Sequence, residues 1–206
     1  ILIGNLVLFG YVGALSYLAG KTGKNFALSA AETFGRNGAK IVAGFLSTVV
    51  IGWFAFQTGL TGATLHTSMG WNATLLALIG GLLYIGVTFI GIRALTVIGL
   101  IAAPMFIALG IVAVVIATRT DGIGAIGSYQ GASDATVLSL GAAVTIVVAG
   151  FVDSGTMTAD FTRWSRSGKQ AVIATFSAFP IANMIAMVVG GIVVAAGAAV
   201  DPAANG

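Results

Sequence analysis

The sequence predicts an all-α polytopic membrane protein, and three observations carry that prediction. Of its 206 residues, 58% are apolar and only 7% are charged, against roughly 25% charged in a soluble domain. The apolar residues come in long unbroken blocks, each near the ~20 residues that a helix needs to cross a bilayer core. Eight of the nine basic residues fall in alternate links between those blocks. The blocks do not alternate with period two, as a transmembrane barrel requires. An open sheet in lipid would leave its edge groups unsatisfied.

Five blocks are long enough to cross alone: Ile1–Ala19, Ile41–Gly59, Ala73–Ile92, Ala94–Ala117 and Ala171–Val200. A sixth, Val137–Gly150, has 14 residues, which cover roughly 21 Å of helix and fall short. Lys21, Lys24, Arg36 and Lys40 follow the first block, Arg93 the third, and Arg163, Arg166 and Lys169 the sixth; Arg119 stands apart. If Val137 to about Trp164 makes one interrupted crossing, those eight share a side, which the positive-inside rule makes cytoplasmic. The first link is long enough for a short surface helix, Phe26–Phe34, either a solvated connector or a gating element. The chain opens at Ile1 and ends at Gly206 next to apolar runs, so it reads as a stretch of a longer transporter. It carries no signal-peptide pattern.

The sixth crossing holds Gly150-Phe151-Val152-Asp153-Ser154-Gly155-Thr156. Two glycines, which permit unusual backbone angles, bracket a carboxylate and a hydroxyl. Backbone freed at that depth must face protein or a wet cavity, as in the discontinuous helices of secondary transporters. Asp153 is costly in lipid unless paired or hydrated. It reads as a substrate or proton group, or as a structural partner to another helix. In the second block Trp53 and Gln57 are four residues apart and share a helix face. Trp53 offers a flat apolar platform for a planar ring, and Gln57 offers amide donors and an acceptor. Phe151 is a candidate for the opposite wall of such a slot. Ordinary lipid-facing or interhelical roles for Trp53 and Gln57 stay open.

Other features read as structural. Pro104 and Pro180 lie inside blocks and remove backbone donors. Gly81, Gly86 and Gly91 allow close helix packing, and Asn183 is placed to bond a neighbouring helix. His66, Asp121 and Asp134 fall in outer loops with no assigned role, and Asn72-Ala73-Thr74 matches a glycosylation sequon. There is no cysteine and one histidine, so no metal site is expected. Walker loop, HExxH and nucleophile-elbow patterns are missing, so no enzyme and no cofactor are expected. The net charge of +3 is small and lies on the basic side of the membrane, so nucleic acid is not an expected partner. A channel or a non-transporting scaffold is the rival class, but a channel would line complete helices with polar groups, whereas here they cluster on two helices.

Four stretches carry a resemblance to a known family. They are Leu2-Ile3-Gly4-Asn5-Leu6 with Ala19-Gly20-Lys21-Thr22-Gly23, then Gly52-Trp53-Phe54, then Gly91-Ile92-Arg93-Ala94-Leu95-Thr96-Val97 followed by Pro104, and Ser154-Gly155-Thr156-Met157-Thr158-Ala159-Asp160-Phe161-Thr162-Arg163-Trp164. In order and spacing the chain resembles the nucleobase–cation symport-1 family, on its purine/cytosine permease branch. The resemblance implies a stretch of a five-plus-five inverted-repeat, leucine-transporter-like fold. Residues 1–206 would form one transmembrane domain of about six spans, family helices two to seven. Residues 1–117 would belong to the first repeat, and 137–200, broken at 150–155, would start the second. The implied activity is plasma-membrane uptake of a nucleobase by symport with Na⁺ or H⁺. The coupling-ion site would lie between helices one and eight, outside this stretch.

By position, Trp53 matches the family's stacking tryptophan and Phe151 the aromatic on the other face. Gln57 matches a substrate-bonding glutamine of hydantoin-type members. Asp153, with Ser154 beside it, stands where cytosine permeases tend to carry Ser, and those permeases usually lack the glutamine. The expected substrate set is therefore cytosine, another aminopyrimidine or a purine, with hydroxymethylpyrimidine, allantoin or a hydantoin as alternatives. The expected substrate-binding residues are Trp53, Gln57, Phe151, Asp153 and Ser154.

Overall fold

A computed structural model of the chain describes residues 1–120, 122–129 and 138–196. Every regular element among the described residues is helical. In order these are α1 Leu2–Thr22, α2 Phe26–Met69, α3 Ala73–Ile90, α4 Ile92–Thr120, α5 Gly122–Ser128, α6 Leu140–Ala149, α7 Val152–Thr156, α8 Thr158–Thr162, α9 Gly168–Phe176, a π-helical turn Ser177–Asn183, and α10 Met184–Ala195. Five helical stretches are long and apolar enough to cross a membrane: Leu2–Thr22, Phe26–Met69, Ala73–Ile90, Ile92–Arg119 and Gly168–Ala195. The pair Leu140–Ala149 and Val152–Thr162, bent by 54°, makes a sixth if taken as one span. The chain divides into two compact units, Ile1–Val50 with Ala132–Val188, and Ile51–Gly131 with Val189–Gly206.

In the first unit α1 is the element against which the others pack. Its buried stripe is Asn5, Leu8, Val12, Ser16 and Ala19, at the three- and four-residue spacing of one helix face. The neighbours come close because glycine stands at the crossings. A Cβ placed on Gly4 would lie 2.6 Å from Val147 Cβ, and one on Gly20 would lie 2.7 Å from Ala171 Cβ. On the partner side, a Cβ on Gly155 would lie 2.5 Å from Val12 Cγ2, and one on Gly168 would lie 2.8 Å from the Tyr17 backbone oxygen. Three side-chain hydrogen bonds join the same helices: Thr175 to Ser16 at 2.6 Å, Asn183 Nδ2 to Asn5 Oδ1 at 2.7 Å, and Tyr11 to Thr156 at 2.6 Å. Asn183 thus bonds a neighbouring helix as expected.

The surface helix expected at Phe26–Phe34 is present. Gly35, at φ 70° and ψ 172°, separates it from the rest of α2, and Gly23, at φ 71°, ends α1 ahead of it. Asn25 Oδ1 caps its first turn, accepting from Leu28 N–H at 2.9 Å, and the Asp160 carboxylate of α8 lies beside Phe26 N–H. Lys24 and Glu32 form an exposed ion pair along it.

In the second unit the later part of α2 packs on α3. A Cβ on Gly62 would lie 2.5 Å from Ala73 O, and one on Gly81 would lie 3.1 Å from Thr58 Cγ2. Gly81 therefore packs as expected, but Gly86 meets no atom within 4 Å and Gly91 turns the chain at φ 86°. The α2 helix runs past Gly59, where the apolar count ended, to Met69. The hydroxyls of Thr58, Thr61, Thr67 and Ser68 donate to carbonyls four residues back, so these polar residues bring their own acceptors and do not end the helix. His66 lies in its last turn and not in a loop, with Nδ1 bonded to Trp71 O. Asn72 of the sequon caps α3, accepting from Leu75 N–H at 3.0 Å. Asp121 and Asp134 lie outside the described residues.

Overpacking a close crossing costs about 1–3 kcal/mol. Gly155→Ala is expected to lower the stability of the full-length protein by that amount, read from thermal unfolding in detergent. An unchanged midpoint would mean that Val12 and Gly155 do not touch.

Candidate functional site

The break in the sixth crossing falls at Gly150 and Phe151, and its cause differs from the one the glycines suggested. Gly150 is right-handed helical at φ −60° and ψ −22°, and Gly155 lies inside α7 with no positive φ. The irregular residue is Phe151, at φ −140° and ψ 8°. Gly155 is needed for its missing side chain, since it sits against Val12. The break turns Val152–Thr162 by 54° from Leu140–Ala149, and it presents Phe151, Asp153 and Ser154 from one short stretch.

Those three residues sit in different surroundings. Phe151 is 37% exposed, and its ring meets Phe179 edge to face, with centroids 6.1 Å apart at 76°. Ser154 is exposed, and its hydroxyl donates to Asp153 Oδ1 at 3.2 Å. Asp153 itself is only 7% exposed. Its Oδ2 is buried and meets no hydrogen-bond donor among the described residues. Burying a carboxylate with one neutral hydrogen bond costs several kcal/mol, so this residue works against stability where it stands. The next turn is tied down: the Thr156 hydroxyl donates to Val152 O at 2.8 Å, which leaves Tyr11 to donate to Thr156.

Trp53 and Gln57 belong to the second unit. Trp53 is 39% exposed and packs edge to face on Phe56, with centroids 5.7 Å apart. Gln57 lines a cavity of about 300 Å³ with Leu60, Thr61, Thr64, Leu65 and Tyr84. Tyr84 and Thr61 share a hydrogen bond at 2.8 Å. Sequence reasoning missed this polar company. A Thr four residues after Gln57, followed by Thr64 on the same face, was the available signal. It also missed Phe179, whose only mark was its place beside Pro180. Among the described residues no three His, Cys, Asp or Glu side chains group as metal ligands.

Long apolar spans, one of them broken at a buried carboxylate, are the architecture of a multi-pass membrane protein. The chain belongs to a particular family of these, described as "Permease for cytosine/purines, uracil, thiamine, allantoin", whose family model matches residues 1–205. It is 35% identical over 199 residues to the cytosine permease of Escherichia coli K12, and to the same degree to those of strains O157:H7 and O6:H1. The alignment takes in 97% of this chain and 46% of each relative. The chain thus spans about half the length of the relatives it matches. The resemblance in the four sequence stretches is accordingly to the right family.

Replacing one partner of a satisfied buried carboxylate destabilises by 3–5 kcal/mol, whereas a carboxylate without a donor has little to lose. Asp153→Asn is therefore expected to leave the thermal midpoint of the full-length protein unchanged or raised. A loss of several kcal/mol would reveal a cationic or hydrogen-bonding partner.

Proposed function

We propose that this chain supplies part of a secondary active transporter that imports a nucleobase, cytosine or a related pyrimidine or purine, by cation symport and alternating access. The observation that carries this reading is the break at Phe151 with Asp153 buried two residues on. A membrane protein keeps irregular backbone and a poorly satisfied carboxylate inside a span where they serve a function. Family membership and likeness to cytosine permeases support the substrate class.

Trp53 and Phe151 are the stacking residues in this reading. Both rings are partly exposed and both are edge-packed by a second aromatic, which leaves a face for a planar ring. Gln57 and Ser154 supply hydrogen bonds, and Asp153 acts through Ser154, whose hydroxyl it orients. The coupling ion is Na⁺ or H⁺. Ion and substrate favour the same conformational states, so each raises the affinity of the other.

A second reading is favoured by Gln57. An amide that lines a cavity with two threonines and a tyrosine also suits an allantoin-, hydantoin- or hydroxymethylpyrimidine-type ring, whose N–H and oxygen groups an amide can pair with.

Ligand at a hundred times its Kd stabilises a protein by about 2.7 kcal/mol. Full-length protein is therefore expected to show a raised thermal midpoint with cytosine or another nucleobase, more so with the coupling ion present. Stabilisation by none of the nucleobases, allantoin or hydantoins would remove the reading. Stacking on an aromatic side chain is worth about 1–3 kcal/mol per base, so Trp53→Ala should weaken binding roughly ten- to hundred-fold. Asp153→Asn should reorder the preferred ligands in the same panel, and an unchanged order would leave Asp153 outside recognition.

A further inference from the structure

The last span is not a regular helix where it passes the break. Pro180 has no N–H, so the carbonyl of Phe176 loses the donor that an α-helix would give it. The chain answers with a π-helical turn over Ser177–Asn183, and the Ser177 hydroxyl donates to Ala174 O at 2.7 Å. Turns of this kind recur at functional sites. This one is fixed from both ends. Before it, Thr175 is bonded to Ser16, and Phe176 packs edge to face on Phe9 with centroids 5.2 Å apart. At its end, Asn183 is bonded to Asn5, and Pro180 in the middle is buried. A segment pinned to α1 at Thr175 and at Asn183 has little freedom between, and Phe179 lies in that interval.

Phe151 is the opposite kind of residue. It stands at a backbone break, joined to the short helices on either side only by Phe151 N–H to Val148 O at 3.2 Å and Gly155 N–H to Phe151 O at 2.7 Å. Neither bond restrains its side chain. The one ring stacked against it among the described residues is Phe179, and an edge-to-face pair prefers a definite orientation. The π-turn, pinned to α1 before it and at its end, therefore holds the ring that stands at the break.

We infer that Phe179 is a positioning residue for the substrate site, with the π-turn at Pro180 serving to hold its ring against Phe151 and fix the face that Phe151 turns to a planar ligand. This rests on the reading of Phe151 as a substrate contact. The role also couples the last span to the site: a shift of the π-turn moves the backstop of Phe151 without any residue of that span touching substrate.

The test uses full-length protein in detergent with radiolabelled cytosine as the probe. The variants are F151A, F179A, F179L, F179Y and the double variant F151A/F179A. F179L keeps the apolar volume and F179Y keeps the ring. About ten-fold weaker cytosine binding is expected for F179A and F179L, and near-normal binding for F179Y. The double variant should bind no worse than F151A alone, because residues that act as a unit are not additive. Normal binding by F179L alongside a loss in F151A would overturn the inference and leave the substrate reading intact. Losses that add in the double variant would assign Phe179 a general packing role and overturn it as well. Normal binding by F151A would overturn both.

Discussion

The first unit depends on how closely α1 approaches the broken span and the last span. Lipid tails are as apolar as leucine, so burying apolar surface gives helices no reason to associate in a bilayer. Contact has to come from shape and from polar groups. Glycines at Gly4, Gly20, Gly155 and Gly168 let backbones meet side chains with no space for a Cβ. Once the helices are that near, Ser16, Asn5 and Tyr11 reach Thr175, Asn183 and Thr156. The two devices act together: the glycines allow the close approach, and the hydrogen bonds favour one register.

That frame explains why a short and irregular α7 is tolerated. A helix of five residues has no stability of its own. Here Gly155 rests on Val12 and Thr156 is held by Tyr11, so α1 supplies what the segment lacks. The buried Asp153 next to it has the reverse character, with one oxygen that no described donor satisfies. Stability is concentrated on one side of the turn and forgone on the other, the usual division between a scaffold and a working group.

The spans were legible because apolar length is a strong signal, and the interruption was legible because Asp153 has no business in an unbroken lipid-facing helix. The mechanism of the break was not. Glycine invites an explanation by backbone freedom, yet Gly150 and Gly155 are both conventional in angle, and a phenylalanine takes the irregular one. What a missing Cβ makes room for depends on the neighbour, and no single sequence names Val12 as that neighbour. The π-turn was hidden for a similar reason: Pro180 announces a disturbed helix but does not say whether the chain will kink or widen. The full extent of α2 was missed because threonines count as polar on a hydropathy scale while bonding their own carbonyls in a helix. The short α5, rich in glycine, gave no periodic signal at all. Of the site, the residue types and their spacing could be read, and the burial that sets Asp153 apart from Ser154 could not.

The link between α1 and α2 has a mechanical consequence. A stretch of polar residues between two spans ordinarily behaves as slack rope, and changes in its length are absorbed. Here a glycine of positive φ stands at either end of a short rod, and the head of the rod lies beside Asp160 on the tail of the broken span. A helical link of this kind has less slack than a loop of the same length. Residues added between Gly23 and Gly35 would alter the lever arm joining two spans, whereas additions in an ordinary loop would change only its droop.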